Sequence, residues 1–165
     1  MSDLFPVKPK IISEITMELL IIPTAQRRVR FRSYGKFVGT HKAPEQVKAE
    51  DFIMDYLKPY VPENPMMGAI ELTMRAVFPV PASKPQWWAD AALSGAISHI
   101  KKPDKDNIEK NILDCLQTMG FFKNDSQIFR SKTEKCYGEK GMWKIRLREY
   151  QVPQSKKEYR EFMKG

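Results

Sequence analysis

Apolar and polar positions along this chain change their period several times, and each change marks an element boundary. Ile15-Thr16-Met17-Glu18-Leu19-Leu20-Ile21-Ile22 is rich in β-branched and aliphatic residues and stops at Pro23, which predicts a strand. Arg27-Arg28-Val29-Arg30-Phe31-Arg32 alternates basic with apolar residues, the period of two that a half-buried strand requires. One face of that strand would enter the core and the other would present Arg28, Arg30 and Arg32 together. Ser33-Tyr34-Gly35-Lys36 then predicts a turn, with Phe37 and Val38 pairing back as a short hairpin. Residues 44–60 open with Pro44-Glu45 and carry Val47, Phe52, Ile53, Tyr56 and Leu57 at helical spacing. Pro62 and Pro65 mark a loop. Residues 68–80 predict a long, central strand, and Pro85 to Leu93 a helix with Trp87 and Trp88 at its start and Gly95 after its end.

The spacing over about 105–119 predicts another helix. Ile108, Ile112, Cys115, Leu116 and Met119 form its apolar stripe, and Gly120 is a natural stop. Residues 126–135 and 141–150 read as two closing strands, and the charged tail, 151–165, as a short helix or a partly disordered segment. Intermixed helices and strands predict a single α+β domain over residues 1–150, two layers deep, with a mixed β-sheet packed against helices.

Composition narrows the function classes. With 165 residues, 42% hydrophobic and 29% charged, the chain fits one globular domain with a sizeable core. Twenty-eight Lys and Arg against 20 Asp and Glu leave a net charge of +8, which favours polyanionic partners. The N-terminal residues lack the basic and apolar regions of a signal peptide, and no apolar run is long enough for a membrane span, so a cytoplasmic protein is expected. Cys115 and Cys136 are far apart and read as packing residues, and His41 and His99 have no companions for a zinc site and read as surface or hydrogen-bonded residues.

Against this basic background one stretch is acidic. In Lys102-Pro103-Asp104-Lys105-Asp106-Asn107 two carboxylates stand one residue apart where the helix begins, and Asn124-Asp125-Ser126-Gln127 follows after the helix ends. Oxygen donors gathered from a helix start and a later loop suit a hard cation such as Mg²⁺. Lys110 and Asp114 lie four and eight residues beyond Asp106 and so share its helical face, away from the apolar stripe. Each residue also has a bland role available. Asp104 or Asp106 could cap the helix, Asp125 could be a turn residue, Lys110 and Asp114 an ordinary helical pair, and Glu109 a solvated position.

The run 102–107, then Lys110 and Asp114, then Gly120-Phe121-Phe122-Lys123-Asn124-Asp125-Ser126-Gln127-Ile128, resembles the RusA family of Holliday-junction resolvases. These are small homodimeric, Mg²⁺-dependent endonucleases of bacteria and their phages. The resemblance rests on Pro-Asp-x-Asp-Asn, a helix with an internal Lys, and a Gly-aromatic segment leading to Asp, a small residue, Gln and an aliphatic. It covers about 30 residues closely. It implies metal-binding carboxylates at Asp104, Asp106 and Asp125 and a catalytic Lys110; Asp114, on the same helical face, is a candidate to orient that lysine. It further implies Mg²⁺, with Mn²⁺ as a substitute, a homodimer, and a four-way DNA junction as substrate. One departure is visible, since Asn124 stands where many members carry a second acid.

Candidate DNA contacts are Arg27, Arg28, Arg30, Arg32 and Lys36, with Lys101 and Lys102 beside the acidic motif. Trp87, Trp88 and Phe121 are candidates for stacking at a branch point, with core or interface packing as the competing role. Three functions stay open: a junction-resolving nuclease, a Mg²⁺ nuclease acting on other branched DNA, and a non-catalytic basic DNA-binding module. The two nucleases require Asp104, Asp106 and Asp125 to converge within about 4–6 Å, close enough to share a cation. The module has them apart.

Overall fold

The structure is a computed structural model that describes residues 9–24, 30–34, 37–41 and 44–165, with side chains described over 9–24 and 48–165. Ten elements follow in order. They are β1 (Ile11–Leu19), β2 (Arg30–Tyr34), β3 (Phe37–His41), α1 (Pro44–Leu57), β4 (Ala69–Pro79), α2 (Gln86–Leu93), α3 (Lys105–Thr118), β5 (Ile128–Gly138), β6 (Met142–Tyr150) and α4 (Lys156–Phe162). The main sheet runs β1-β6-β4-β5, and β2 with β3 forms a separate antiparallel hairpin. β4 and β5 pair in parallel while β1 with β6 and β6 with β4 are antiparallel, so the sheet is mixed, as the alternation of elements predicts, with β4 inside it and β5 at its edge.

Strand periodicity divides the sheet into two faces. Met17 and Leu19 of β1, Trp143, Ile145 and Leu147 of β6, and Leu72, Met74 and Ala76 of β4 are buried on one of them. Ile53 and Leu57 of α1 and Ile108, Ile112, Cys115 and Leu116 of α3 close the core from the helical layer. The other face is polar. Cys115 is buried and Cys136 half-buried; neither is in a disulfide, and burial pushes the Cys136 thiol up. Among the described residues no helix is long and apolar enough to cross a membrane.

Several boundaries differ from the sequence reading, and partners explain the differences. β1 starts at Ile11 and ends at Leu19 because it pairs with β6 from Tyr150 to Trp143, after which the chain turns through an Ile21 N–H to Leu19 carbonyl bond. Ser33 and Tyr34, expected in the turn, belong to β2 and pair with Val38 and Phe37 of β3. Arg27, Arg28 and Lys36 lie outside the described residues. β5 begins at Ile128 because Asp125–Gln127 forms a 3₁₀ turn, and it reaches Gly138 by following β4 to Pro79. Phe52 and Tyr56, expected on the inner face of α1, are exposed and pack edge-to-face on each other. The tail forms α4, where the Ser155 hydroxyl accepts from the Glu158 N–H and the Glu158 carboxylate from the Gln154 N–H.

Candidate active site

α3 is held at both ends by local chemistry. Asp104 is its N-cap residue, and its carbonyl accepts the Ile108 N–H, yet its side chain makes no capping bond. Helix capping therefore does not account for this carboxylate. The segment before it is tied to the edge strand by Lys135 of β5, whose Nζ donates to the carbonyls of Lys101 (2.6 Å) and Pro103 (2.9 Å). At the other end Gly120 has φ +85°, the left-handed conformation that favours glycine. Its N–H donates to the Gln117 carbonyl and the Phe121 N–H to the Leu116 carbonyl, closing a Schellman motif over the buried Leu116 and Phe121.

That turn delivers the chain to Asp125. Asn124 accepts the Ser126 N–H at 2.9 Å, and Gln127 Oε1 accepts the N–H groups of Lys123 and Asn124. Gln127 Nε2 in turn donates to the carbonyls of Met66 (2.9 Å) and Gly68 (3.0 Å) ahead of β4. The loop that carries Asp125 is thus pinned to the sheet by one side chain. Asn124, at the position where a second acid was expected, caps this turn in a capping box with Gln127.

Asp106, Glu109, Lys110, Leu113 and Asp114 recur along one face of α3 and line a cavity of about 340 Å³ with Lys105, Asp125 and Ser131. Asp106, Lys110 and Asp125 are exposed and Asp114 half-buried. The side chains of Asp104, Asp106, Lys110 and Asp125 make no hydrogen bond or ion pair with a described residue, so their charged atoms are available to a ligand. Glu109, expected to be solvated, instead accepts from the Thr133 hydroxyl of β5 and faces the cavity. Its spacing of three from Asp106 was the available signal.

The three carboxylates do not all meet. Asp106 and Asp125 share the cavity, whereas Asp104 is outside its lining. Asp104 precedes the helix with an extended backbone (φ −68°, ψ 143°), so it does not follow the α3 face that carries Asp106, Lys110 and Asp114. Among the described residues no three of His, Cys, Asp and Glu stand close enough to hold an ion. The donor set nevertheless fits a hard cation, being composed of carboxylate oxygens open to solvent.

Other candidates fall on both sides of expectation. Phe121 is fully buried, and Trp88 packs against Tyr137 beneath Lys84, so both are packing residues, while Trp87 is 67% exposed. Lys101 and Lys102 are exposed beside Asp104, and Arg30 and Arg32 lie in β2. His99 is not a surface residue: it is buried, stacks on Phe78 at 4.0 Å between ring centroids, and has an unpartnered Nδ1. Burial, then the charge of Lys135, holds its imidazole below the ordinary value of 6.5. Asn111, 2% exposed, was missed as a core residue; it reaches the Thr24 carbonyl at 3.0 Å.

Residues 21–148 match the family model described as Endodeoxyribonuclease RusA. The chain is also similar to an uncharacterized protein, YqaN, of Bacillus subtilis (strain 168), at 29% identity over 137 residues that cover 73% of this chain and 96% of that protein. With a family match across most of the fold, including the α3 face and the Asp125 loop, the chain belongs to the RusA family of endodeoxyribonucleases.

Proposed function

We propose that the protein is a divalent-metal-dependent endonuclease that hydrolyses phosphodiesters at four-way DNA junctions as a homodimer. The observation that carries this reading is the shared cavity of Asp106, Lys110 and Asp125, reached from a helix start, a helix face and a separate loop. Asp106 and Asp125 would hold Mg²⁺, with Asp104 joining them from the N-cap position. When bound, the ion neutralises phosphate charge and makes its water a better nucleophile. Lys110, one helical turn from Asp106, brings a compact positive charge to a non-bridging phosphate oxygen. Glu109 and Asp114 lie beside that lysine in the lining of the same cavity. Basic side chains at Arg28, Arg30, Arg32, Lys36, Lys101 and Lys102 would meet flanking phosphates.

A junction is two-fold symmetric, so a C₂ dimer with one site per subunit can cut opposed strands. Doubling the formal charge of +8 also strengthens capture at low salt. The non-catalytic alternative draws support from one observation, that Asp104 is outside the lining the other two acids share. The test is Asp104→Asn on a synthetic four-way junction with Mg²⁺. Loss of cleavage with retained mobility-shift binding is expected; continued cutting would remove Asp104 from the site.

A further inference from the structure

We propose that the open face of the sheet carries a second phosphate-binding site, centred on Arg146, which holds the DNA backbone beyond the β5 edge. The assignment of DNA as the polymer rests on the endonuclease reading; the site itself rests on the register of the sheet. Three polar cross-strand rows lie side by side on this face. Glu14, Arg148, Glu71 and Arg130 form one row and alternate in sign, with Arg130–Glu71 at 2.8 Å and Arg148 paired to Glu14. Glu18, Lys144, Arg75 and Glu134 form another, closed by Arg75–Glu134 at 3.2 Å and Lys144–Glu18 at 3.7 Å.

The row between them is Thr16, Arg146, Thr73 and Lys132, and it contains no acid. Its side chains line a second cavity of about 340 Å³. Arg146 alone among the described cations of this face makes no ion pair. Its Nη2 donates only a long bond of 3.4 Å to the Thr73 hydroxyl, and its Nε is buried without a partner. A buried donor left unmade is costly, and a guanidinium fork matches the paired oxygens of a phosphate. Lys132 and the Thr16 and Thr73 hydroxyls stand beside it; Glu14 and Glu134 also line the cavity, but each is already ion-paired, Glu14 with Arg148 and Glu134 with Arg75 and Lys132.

The position of this row links it to the catalytic cavity. Successive strand residues point to opposite faces, so Ser131 enters the catalytic cavity while Lys132 enters this one. Nucleic acid lying over the β5 edge therefore meets both. A free phosphate or nucleotide would satisfy the same chemistry without using that edge.

The experiment measures junction affinity against salt, without divalent metal, for wild type, Arg146→Gln, Arg146→Lys and Arg130→Gln, each verified as folded by circular dichroism. Because it reads binding alone, it stands even if cleavage is absent. Arg146→Gln should weaken binding about tenfold and lower the slope of log K against log salt by roughly 0.9, one phosphate contact. Arg146→Lys should keep most of the slope, and Arg130→Gln, already paired with Glu71, should match wild type. An unchanged slope in Arg146→Gln overturns the proposal. So does a shift of the Arg146 Nε–H resonance with inorganic phosphate but not with the junction, which would mark a small-anion site. A change in oligomeric state without a change in slope would give the face to a second copy of the chain and overturn it equally.

Discussion

Lys135→Met tests how the edge strand positions the acidic motif. The substitution keeps the aliphatic stem of the half-buried side chain and removes its charge and both bonds, to the Lys101 and Pro103 carbonyls. A hydrogen bond from a charged donor contributes about 1.5–3 kcal/mol net, and solvent exposure of these carbonyls lowers that, so the pair together contributes roughly 1–2 kcal/mol. Urea unfolding should therefore show a modest loss. Cleavage should suffer more, because the freed segment leads directly into Asp104, and a displacement near 1 Å at a reacting site costs on the order of 10²-fold. Lys135→Arg, which keeps a donor in reach, should recover part of the rate. The His99 imidazole supplies a readout independent of activity: with the Lys135 charge gone, its pKa should rise in an NMR titration. A Lys135→Met protein that cuts a four-way junction at the wild-type rate would refute the positioning argument.

Two further substitutions probe the same region. Gln127→Glu keeps an acceptor for the Lys123 and Asn124 N–H groups but removes the donor to Met66 and Gly68 and sets a negative charge beside their carbonyls; a loss of about 2–3 kcal/mol in urea unfolding is expected, and wild-type stability would contradict the pinned loop. His99 has its folded pKa below 6.5, so the unfolded chain binds the extra proton and stability falls as pH drops through 6.5. Glu14, hydrogen-bonded to Arg148, and Glu134, held by Lys132 and Arg75, have lowered pKa values and act in a separate window, below 4.5. His99→Phe, which keeps a ring on Phe78, should flatten the urea midpoint between pH 7.5 and 5.5; superimposable profiles for variant and wild type would refute the assignment.

Where local spacing decides structure, the sequence was readable. The apolar stripe of α3, its stop at Gly120, and the alternation along β4 and β6 are properties of single segments, and the structure follows them. Non-local pairing was not readable. β1 takes its limits from β6, Glu109 turns toward Thr133 of a strand 24 residues away, and Gln127 reaches carbonyls 59 and 61 residues back. His99 looked like a surface residue because nothing nearby in sequence indicates Phe78 above it. The acidic motif was legible as composition and order, and Asp106, Lys110 and Asp125 do share a cavity. That Asp104 falls outside this lining was not, because it depends on the extended backbone of the N-cap position and not on helical spacing. The acid-free row through Thr16, Arg146, Thr73 and Lys132 exists only once four strands are in register.

The central claim is that the α3 face and the Asp125 loop form a metal-dependent site for cutting branched DNA. Its most direct test is cleavage of four labelled substrates, a four-way junction, a fork, a duplex and a single strand, by wild type and Asp106→Asn with and without Mg²⁺. The account predicts Mg²⁺-dependent cutting that favours the junction, at least 10²-fold slower in Asp106→Asn, the order expected when one group of a catalytic site is lost. Equal cutting by Asp106→Asn, or no cutting of any substrate by the wild type, would contradict it.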